Sequence, residues 1–307
     1  MPDELASVLA GLRRPQKMIS PKWFYDEAGS KLFDDITALP EYYLTDTELT
    51  IMERHIDEMT GLLGEHASLI EFGAGSSLKT RMLLAHMDAP AAYVPVDISE
   101  EHLLRSQASI QADYPDIEVL PVAADFLRPF DLPDPETTPD RNVVYFPGST
   151  IGNFEDDDAL ELLRVMYGEA GAGGALLIGV DLQKDPDVIH AAYNDSAGVT
   201  AQFNLNMLRH LNRAFGSDFD LAAFTHRATY KPDEGRVVVE LVSRRDQDVH
   251  IGDACVPFAR GESIITEYSH KYTLAGFADM ALAAGFEVAA TWTDPRQWFS
   301  VQYCTRD

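Results

Sequence analysis

Apolar and polar positions alternate along the chain in two different rhythms. Residues 1–20 open with Leu5, Val8, Leu9 and Leu12 at helical spacing. An arm rich in aromatics and proline follows, with Trp23, Phe24, Tyr25, Pro40, Tyr42 and Tyr43, and reads as short helix and loop. The next helix carries Leu49, Met52, Ile56 and Met59 on one face; Thr45, with Glu48 three residues on, predicts a capping box at its start. Leu69-Ile70-Glu71-Phe72 reads as a buried strand that runs into Gly73-Ala74-Gly75. Ser76-Ser77 and Lys79 then lead into a helix marked by Met82, Leu83, Leu84 and Met87. Strands are expected from Ala92 to Asp97, Ile117 to Ala123, Asn142 to Pro147 and Gly173 to Leu182. Helices are expected between them, one capped by Ser99 and one marked by Leu160, Leu163, Met166 and Tyr167. This alternation predicts a parallel sheet wrapped on both faces.

The rhythm then breaks. Residues 185–224 are helical and polar, and residues 237–243, 249–251 and 263–272 read as strands, with turns at Asp233-Glu234-Gly235 and Gly252-Asp253. Antiparallel strands inside an α/β chain predict an inserted domain. The first rhythm resumes with a helix from about Leu274 to Ala284, ended by Gly285. Two strands, Phe286 to Trp292 and Phe299 to Cys304, joined by the short link Asp294-Pro295-Arg296-Gln297, predict a closing antiparallel hairpin.

Composition narrows the partners. The chain has 307 residues, 50 acidic against 24 basic, for a net charge of −26. Such a surface repels phosphate backbones and anionic membranes, so no nucleic-acid or membrane partner is expected. The two cysteines, Cys255 and Cys304, lie far apart, with no CxxC and no zinc spacing, so neither a metal nor a disulfide framework is expected. The N-terminus lacks an apolar core behind a basic start, and no run approaches a membrane span, so the expected location is the cytoplasm.

The Gly73–Gly75 turn carries the chemistry. Strand, glycine turn and helix start open a nucleotide pocket, because glycine lets backbone approach the ligand and the helix start offers free N–H groups. Asp97, ending the second strand, can accept from ribose hydroxyls. Two ligand classes fit: a nicotinamide dinucleotide and S-adenosylmethionine. Leu78 stands where the dinucleotide fingerprint wants a third glycine. Asp125-Phe126, ending the third strand, suits an adenine amine and face. The closing hairpin resembles the class I methyltransferase fold. S-Adenosylmethionine is therefore favoured, with a dehydrogenase as the second reading.

Five segments, PKWFYDEAGSKLFDDITALPEYY, EFGAGSSLKTR, FPGSTIGNF, AYNDSAGVTAQFN and TEYSHKY, occur in this order and together resemble the histidine-specific methyltransferase family. The resemblance runs from about residue 20 to residue 305. Phe72 and Ala74 replace residues that are often Leu and Ser in that family, and both glycines are kept. The resemblance implies trimethylation of the α-amine of L-histidine to hercynine, in ergothioneine biosynthesis. It implies a Rossmann-like class I methyltransferase core (residues 48–184 and 273–307) and an α+β substrate-binding domain (residues 1–47 and 185–272). Carried over by motif, the substrate-binding residues are Tyr25, Tyr42, Asn153, Tyr193, Glu267 and Ser269. The cofactor-binding residues are Gly73, Gly75, Lys79, Asp97, Asp125 and Phe126. A monomer acting on a small molecule is expected.

These roles make chemical sense. Asn153 and Tyr193 can donate to the amino-acid carboxylate. Glu267 and Ser269, two apart on a strand, face the same way and can hold both imidazole nitrogens. Tyr25 can reach the amine directly or through water, and is the one residue assigned a catalytic part. Phe24 and Tyr25 could offer cation–π attraction to the growing ammonium. Lys79 suits the cofactor carboxylate or a helix surface. Positioning for in-line displacement can supply on the order of 7–11 kcal/mol, so no strong general base is required. Two further readings stay open. A methyltransferase of this fold for another amine would have lost the Glu267/Ser269 pair, and a non-catalytic relative would have an eroded cofactor loop.

Overall fold

The computed structural model describes residues 2–74, 78–98 and 100–306; Gly75, Ser76, Ser77 and Ser99, named above, lie outside the described residues. The chain opens with α1 (Pro2–Leu12), β1 (Lys17–Met18), a 3-10 turn (Pro21–Phe24), α2 (Glu27–Thr37) and α3 (Tyr43–Leu63). Then come β2 (Ala67–Phe72), α4 (Leu78–His86), β3 (Ala92–Asp97), α5 (Glu100–Asp113), β4 (Glu118–Val119) and β5 (Val122–Ala123). Next are β6 (Arg141–Phe146), a 3-10 turn (Thr150–Asn153), α6 (Asp156–Ala170) and β7 (Ala175–Asp181). The middle of the chain holds α7 (Pro186–Tyr193), α8 (Val199–Phe215), β8 (Phe224–Lys231), β9 (Arg236–Ser243), β10 (Gln247–Ile251), β11 (Ala254–Phe258) and β12 (Ser263–His270). It closes with α9 (Leu274–Ala284), β13 (Glu287–Thr293) and β14 (Phe299–Thr305). Two compact units result: Met1–Tyr43 with Lys184–His270, and Leu44–Gln183 with Lys271–Asp307.

The second unit holds an eight-stranded sheet in the order β13-β14-β7-β6-β2-β3-β4, with β5 also on β3. Strands β2 to β7 pair in parallel, and β14 is antiparallel to both β7 and β13. This order, closed by an antiparallel hairpin, is the class I methyltransferase arrangement. Every residue of β2 and of β7 is buried, as expected where helices cover both faces. The chain leaves β2 toward β3 on one side and returns to β6 on the other. Ligands bind such sheets at that switch point, beyond the carboxyl ends of the strands.

The first unit holds a four-stranded sheet, β1-β12-β9-β8, and the β10–β11 hairpin. The arm donates β1 as a parallel edge strand to β12. Phe203, Met207, Leu208 and Leu211 of α8 share a core with Val8, Leu12, Phe24, Leu241 and Ile264. The β9–β12 ladder slips between Ile265 and Glu267: Ile264 opposes Leu241, whereas Glu267 opposes Val239 and Ser269 opposes Val237. Thr266 is the extra residue, and its Oγ1 donates to Val239 O at 3.1 Å. A bulge of one residue reverses the alternation. Glu267 and Ser269 therefore continue the face of Leu241, which packs in the α8 core.

Several expectations need correction. Thr45 does not cap α3, which starts at Tyr43; Glu48 lies inside the helix with its carboxylate on Gly148 N and Lys79. The expected strand from Ile117 to Ala123 is two short strands, because Pro121 between them lacks an N–H for the ladder. Strands β1, β8 and β11 were absent from the sequence reading. In β8 only Phe224 and Ala228 are buried, so its apolar signal is weak. Pro257 in β11 is tolerated because that strand pairs on one side only, with β10.

Candidate active site

Tyr25 is fixed by its chain neighbours. Phe24 stacks on Phe203 at 4.5 Å, and Asp26 caps α2 by accepting from Gly29 N at 2.7 Å. Asp26 also accepts from Asn206 Nδ2 (2.8 Å) and Arg213 Nη2 (2.6 Å) of α8. Desolvation raises the Asp26 pKa, but the Gly29 N–H, Asn206, His210 and Arg213 outweigh it and hold the carboxyl below its ordinary value. The Tyr25 ring meets Phe33 and Phe203 edge-on at 5.8 Å, and Phe33 meets Tyr42 at 6.4 Å. Tyr25 and Tyr42 thus belong to one aromatic cluster. Tyr25 keeps 47% of its surface exposed. Desolvation of its hydroxyl, then the fields of Glu267 and Tyr193, push its pKa above the ordinary tyrosine value. Tyr25 therefore offers a neutral hydroxyl, not a phenolate base. Phe24, by contrast, is buried against Phe203 and presents no free face; the expectation that it meets an ammonium is corrected.

Tyr193 ends α7, and its hydroxyl lies 2.7 Å from Ser269 Oγ in a buried contact. Its backbone is held as well. His226 Nε2 lies 2.9 Å from Tyr193 O, and His226 Nδ1 lies 2.9 Å from Asn204 Nδ2 of α8. A carbonyl can only accept, so Nε2 carries the proton and Nδ1 accepts. Desolvation lowers the His226 pKa more than the Tyr193 carbonyl and Asp195 raise it, which favours this neutral form. Beyond Tyr193, Asn194 donates to Ala228 O at 3.1 Å, and Asp195 accepts from Val199 N and Thr200 N at 2.8 Å each. Opposing Leu241 and Val239, His226 and Ala228 of β8 share the face of Glu267 and Ser269.

In the second unit the cofactor candidates lie at the carboxyl edge of the sheet. Gly73 has φ +73°, and a Cβ there would sit 3.8 Å from the Phe126 ring. Phe126 packs on Phe72 (5.5 Å) and Phe146 (6.1 Å). Asp97 ends β3, and Asp125 Oδ1 accepts from Leu127 N at 3.2 Å, stiffening its own turn. Beneath α4, the buried Glu71 accepts from Thr80 Oγ1 (2.8 Å) and Tyr93 Oη (2.5 Å). Its pKa is raised, mainly by desolvation. Lys79 pairs with Glu48, and Glu48 also holds Gly148 N. Asn153 ends the 3-10 turn after β6.

These residues suit S-adenosylmethionine. Gly73 holds a left-handed φ that favours glycine at the carboxyl end of β2, a cation stands at Lys79, and Ile98 and Leu127 leave apolar side chains exposed beside the two carboxylates. Among the described residues no group of acidic, His or Cys side chains could hold a metal ion, and no helix is long and apolar enough to cross a membrane.

A profile of histidine-specific, S-adenosylmethionine-dependent methyltransferases matches residues 4–306. The chain belongs to that family. It is 40% identical over 305 residues to a histidine N-alpha-methyltransferase of Mycolicibacterium smegmatis, covering 97% of this chain and 94% of that one. It is 38% identical over 293 residues to the protein of the same name from Mycobacterium tuberculosis, covering 94% and 90%. Ergothioneine biosynthesis protein 1 of Neurospora crassa is 31% identical over 288 residues, covering 88% of this chain and 31% of the longer protein.

For this histidine-specific methyltransferase, sequence reasoning overlooked the residues that hold the site residues in place. Glu48 was hidden by its plausible place in a capping motif. Glu71 did carry a signal, an acid inside an apolar strand. His226 and Asn204 lie in segments whose strand and helix faces emerge only from pairing.

Proposed function

We propose that this chain transfers methyl groups from S-adenosylmethionine to the α-amine of L-histidine, giving hercynine after three transfers, in ergothioneine biosynthesis. The observation that carries the reading is the shared face of Glu267 and Ser269, with Tyr193 bonded to Ser269. A carboxylate and a hydroxyl on one strand face suit the two nitrogens of an imidazole, one donating and one accepting. The first unit, with Tyr25, Tyr42, Tyr193, Glu267 and Ser269, is the substrate-binding part. The second, with Gly73, Gly75, Lys79, Asp97, Asp125 and Phe126, is the cofactor-binding part, and Asn153 is assigned to the substrate carboxylate by motif. The protein works as a cytoplasmic monomer.

When bound, the cofactor supplies a methyl group already activated on a sulfonium. The protein's part is positioning. Glu267 accepts an imidazole N–H and fixes the ring. Asn153 donates to the carboxylate. Tyr25, with its proton retained, orients the amine directly or through a water, and the amine must be neutral to attack. An α-amino group at a peptide terminus titrates at about 8 and the carboxylate of a free amino acid raises that value, so a small neutral fraction is present without a strong base.

Incubating the protein with S-adenosylmethionine and each amino acid in turn, then weighing the products, tests the reading. Methylated histidine is expected, with the trimethyl form accumulating. No methylated histidine would refute it.

A further inference from the structure

Glu48 is buried, its side chain 1% exposed, in the second turn of α3. Its Oε1 and Oε2 lie 3.1 and 3.0 Å from Gly148 N, and Oε2 pairs with Lys79 Nζ. Gly179 in the unbroken strand β7 leaves room for it, since a Cβ there would collide with Glu48 Oε1. One carboxylate therefore touches the first turn of α4 and the turn after β6, on either side of the switch point. Lys79 stands in the first turn of α4, just after the glycine turn. Gly148 begins the turn that leads from β6 to Asn153.

Both partners need an external hold. Gly148 and Ser149 have consecutive positive φ values, +77° and +57°. For serine that conformation is strained and persists only where its surroundings enforce it. The enforcing contacts are Glu48 on Gly148 N, Asp181 N donating to Ser149 Oγ at 2.9 Å, and Thr150 Oγ1 donating to Pro147 O at 3.0 Å. Lys79 has a flexible four-carbon stem with three donors at its end. Pairing one of them with a buried carboxylate aims the ammonium and leaves two for another acceptor. Gly148 lies beneath it, with Lys79 Nζ 3.8 Å from where a Cβ would stand.

We propose that Glu48 is a positioning residue that couples the two substrates. Through Lys79 it tunes affinity for the cofactor's carboxylate, and through Gly148 it sets the turn that presents Asn153 to the amino acid. This rests on the reading of Lys79 and Asn153 given under the proposed function. The two arms are chemically separable. Glu48→Gln keeps an oxygen for Gly148 N–H and loses the charge opposite Lys79. Glu48→Ala loses both.

The test uses the full chain. The Kd for S-adenosylhomocysteine is measured by calorimetry, and the KM for histidine at saturating cofactor, in the wild type, E48Q, E48A, K79A and N153A. E48Q is expected to weaken S-adenosylhomocysteine about tenfold, the size of one charge-assisted hydrogen bond, and to leave the histidine KM within about twofold. E48A is expected to shift both by about tenfold, whereas K79A moves only the first and N153A only the second. In the E48Q/K79A double variant the loss should be no larger than in K79A alone, because Glu48 acts through Lys79. A general packing role for Glu48 would lower the melting temperature and leave both constants of the folded protein unchanged, and that result would overturn the proposal. So would E48Q moving the histidine KM as far as E48A. Should E48A fail to fold, E48Q and its double variant decide the matter by the same criteria. A wild type that neither binds S-adenosylhomocysteine nor methylates histidine removes the reading beneath the inference. A wild type that does both, with indifferent Glu48 variants, removes the inference alone.

Discussion

Tyr193 Oη and Ser269 Oγ, 2.7 Å apart, join the end of α7 to the bulged strand β12. Each hydroxyl has one proton, so the direction of the bond decides what the pair offers. If Tyr193 donates to Ser269, Ser269 is left to donate to an imidazole nitrogen. If Ser269 donates to Tyr193, the tyrosine can donate to a carboxylate and Ser269 can accept an imidazole N–H. The two residues are expected to act as one unit. Tyr193→Phe and Ser269→Ala should each raise the histidine KM, and the double variant should cost less than their product, with a coupling of about 0.5–3 kcal/mol. Steady-state kinetics on the four proteins measures it; strict additivity would rule out the coupling.

Glu267 carries the sharper discrimination. A charged acceptor for a ring N–H contributes roughly 1.5–3 kcal/mol. Glu267→Ala should therefore lower kcat/KM for histidine by about 10- to 100-fold, with S-adenosylhomocysteine affinity unchanged. Unchanged histidine turnover would move the imidazole contact elsewhere.

His226 predicts an acid limb in stability. Its pKa is lowered by desolvation, so the unfolded chain binds its proton first as pH falls. The stabilising difference is complete above the ordinary value of 6.5 and is lost as pH falls from there through the lowered value. Asp26 and Asp195, also held below their ordinary 3.8, weaken the fold only at more acidic pH. Melting temperature measured from pH 7.5 to 5 should fall in the wild type and fall less in His226→Gln. Equal slopes would mean that other groups set that limb.

Tyr25 holds its proton because desolvation and the Glu267 field disfavour the phenolate. Tyr25→Phe should lower kcat without moving the midpoint of the pH–rate profile, which belongs to the substrate amine. A midpoint that shifts with this substitution would make Tyr25 a titrating base.

Gly179→Ala would drive a methyl group into the Glu48 carboxylate. Displacing a buried group in this way costs about 1–3 kcal/mol, readable as a lower denaturation midpoint. A neutral result would mean that the carboxylate has room to move.

The α/β fold class was legible because parallel strands buried on both faces leave near-continuous apolar runs, as in Leu69–Phe72 and Leu176–Val180. Helix α9 was legible from its apolar stripe and the Gly285 stop. Strand β8 was not, since only one of its faces meets the core and that face includes His226. The Glu267–Ser269 spacing was visible, but the bulge before it was not, because a bulge is a relation between two strands. Glu48 suffered the opposite fate: a strong local motif suggested a helix cap, and long-range contacts to Gly148 and Lys79 claimed the side chain instead.

The bulge at Thr266 makes the acceptor-facing side of β12 depend on how the strand pairs with β9, beyond which residues it contains. Were the ladder to close up with Thr266 opposite Val239, Glu267 would oppose Val238 and Ser269 would oppose Arg236, and both side chains would turn away from the face they share with Leu241 and from Tyr193. A relative that keeps every motif residue but pairs this strand without the bulge would thus present its acid to the opposite side of the sheet. Which residue of β9 lies opposite the acid, Val239 or Val238, decides the side on which an acceptor can meet it, and the presence of the acid in the sequence alone does not.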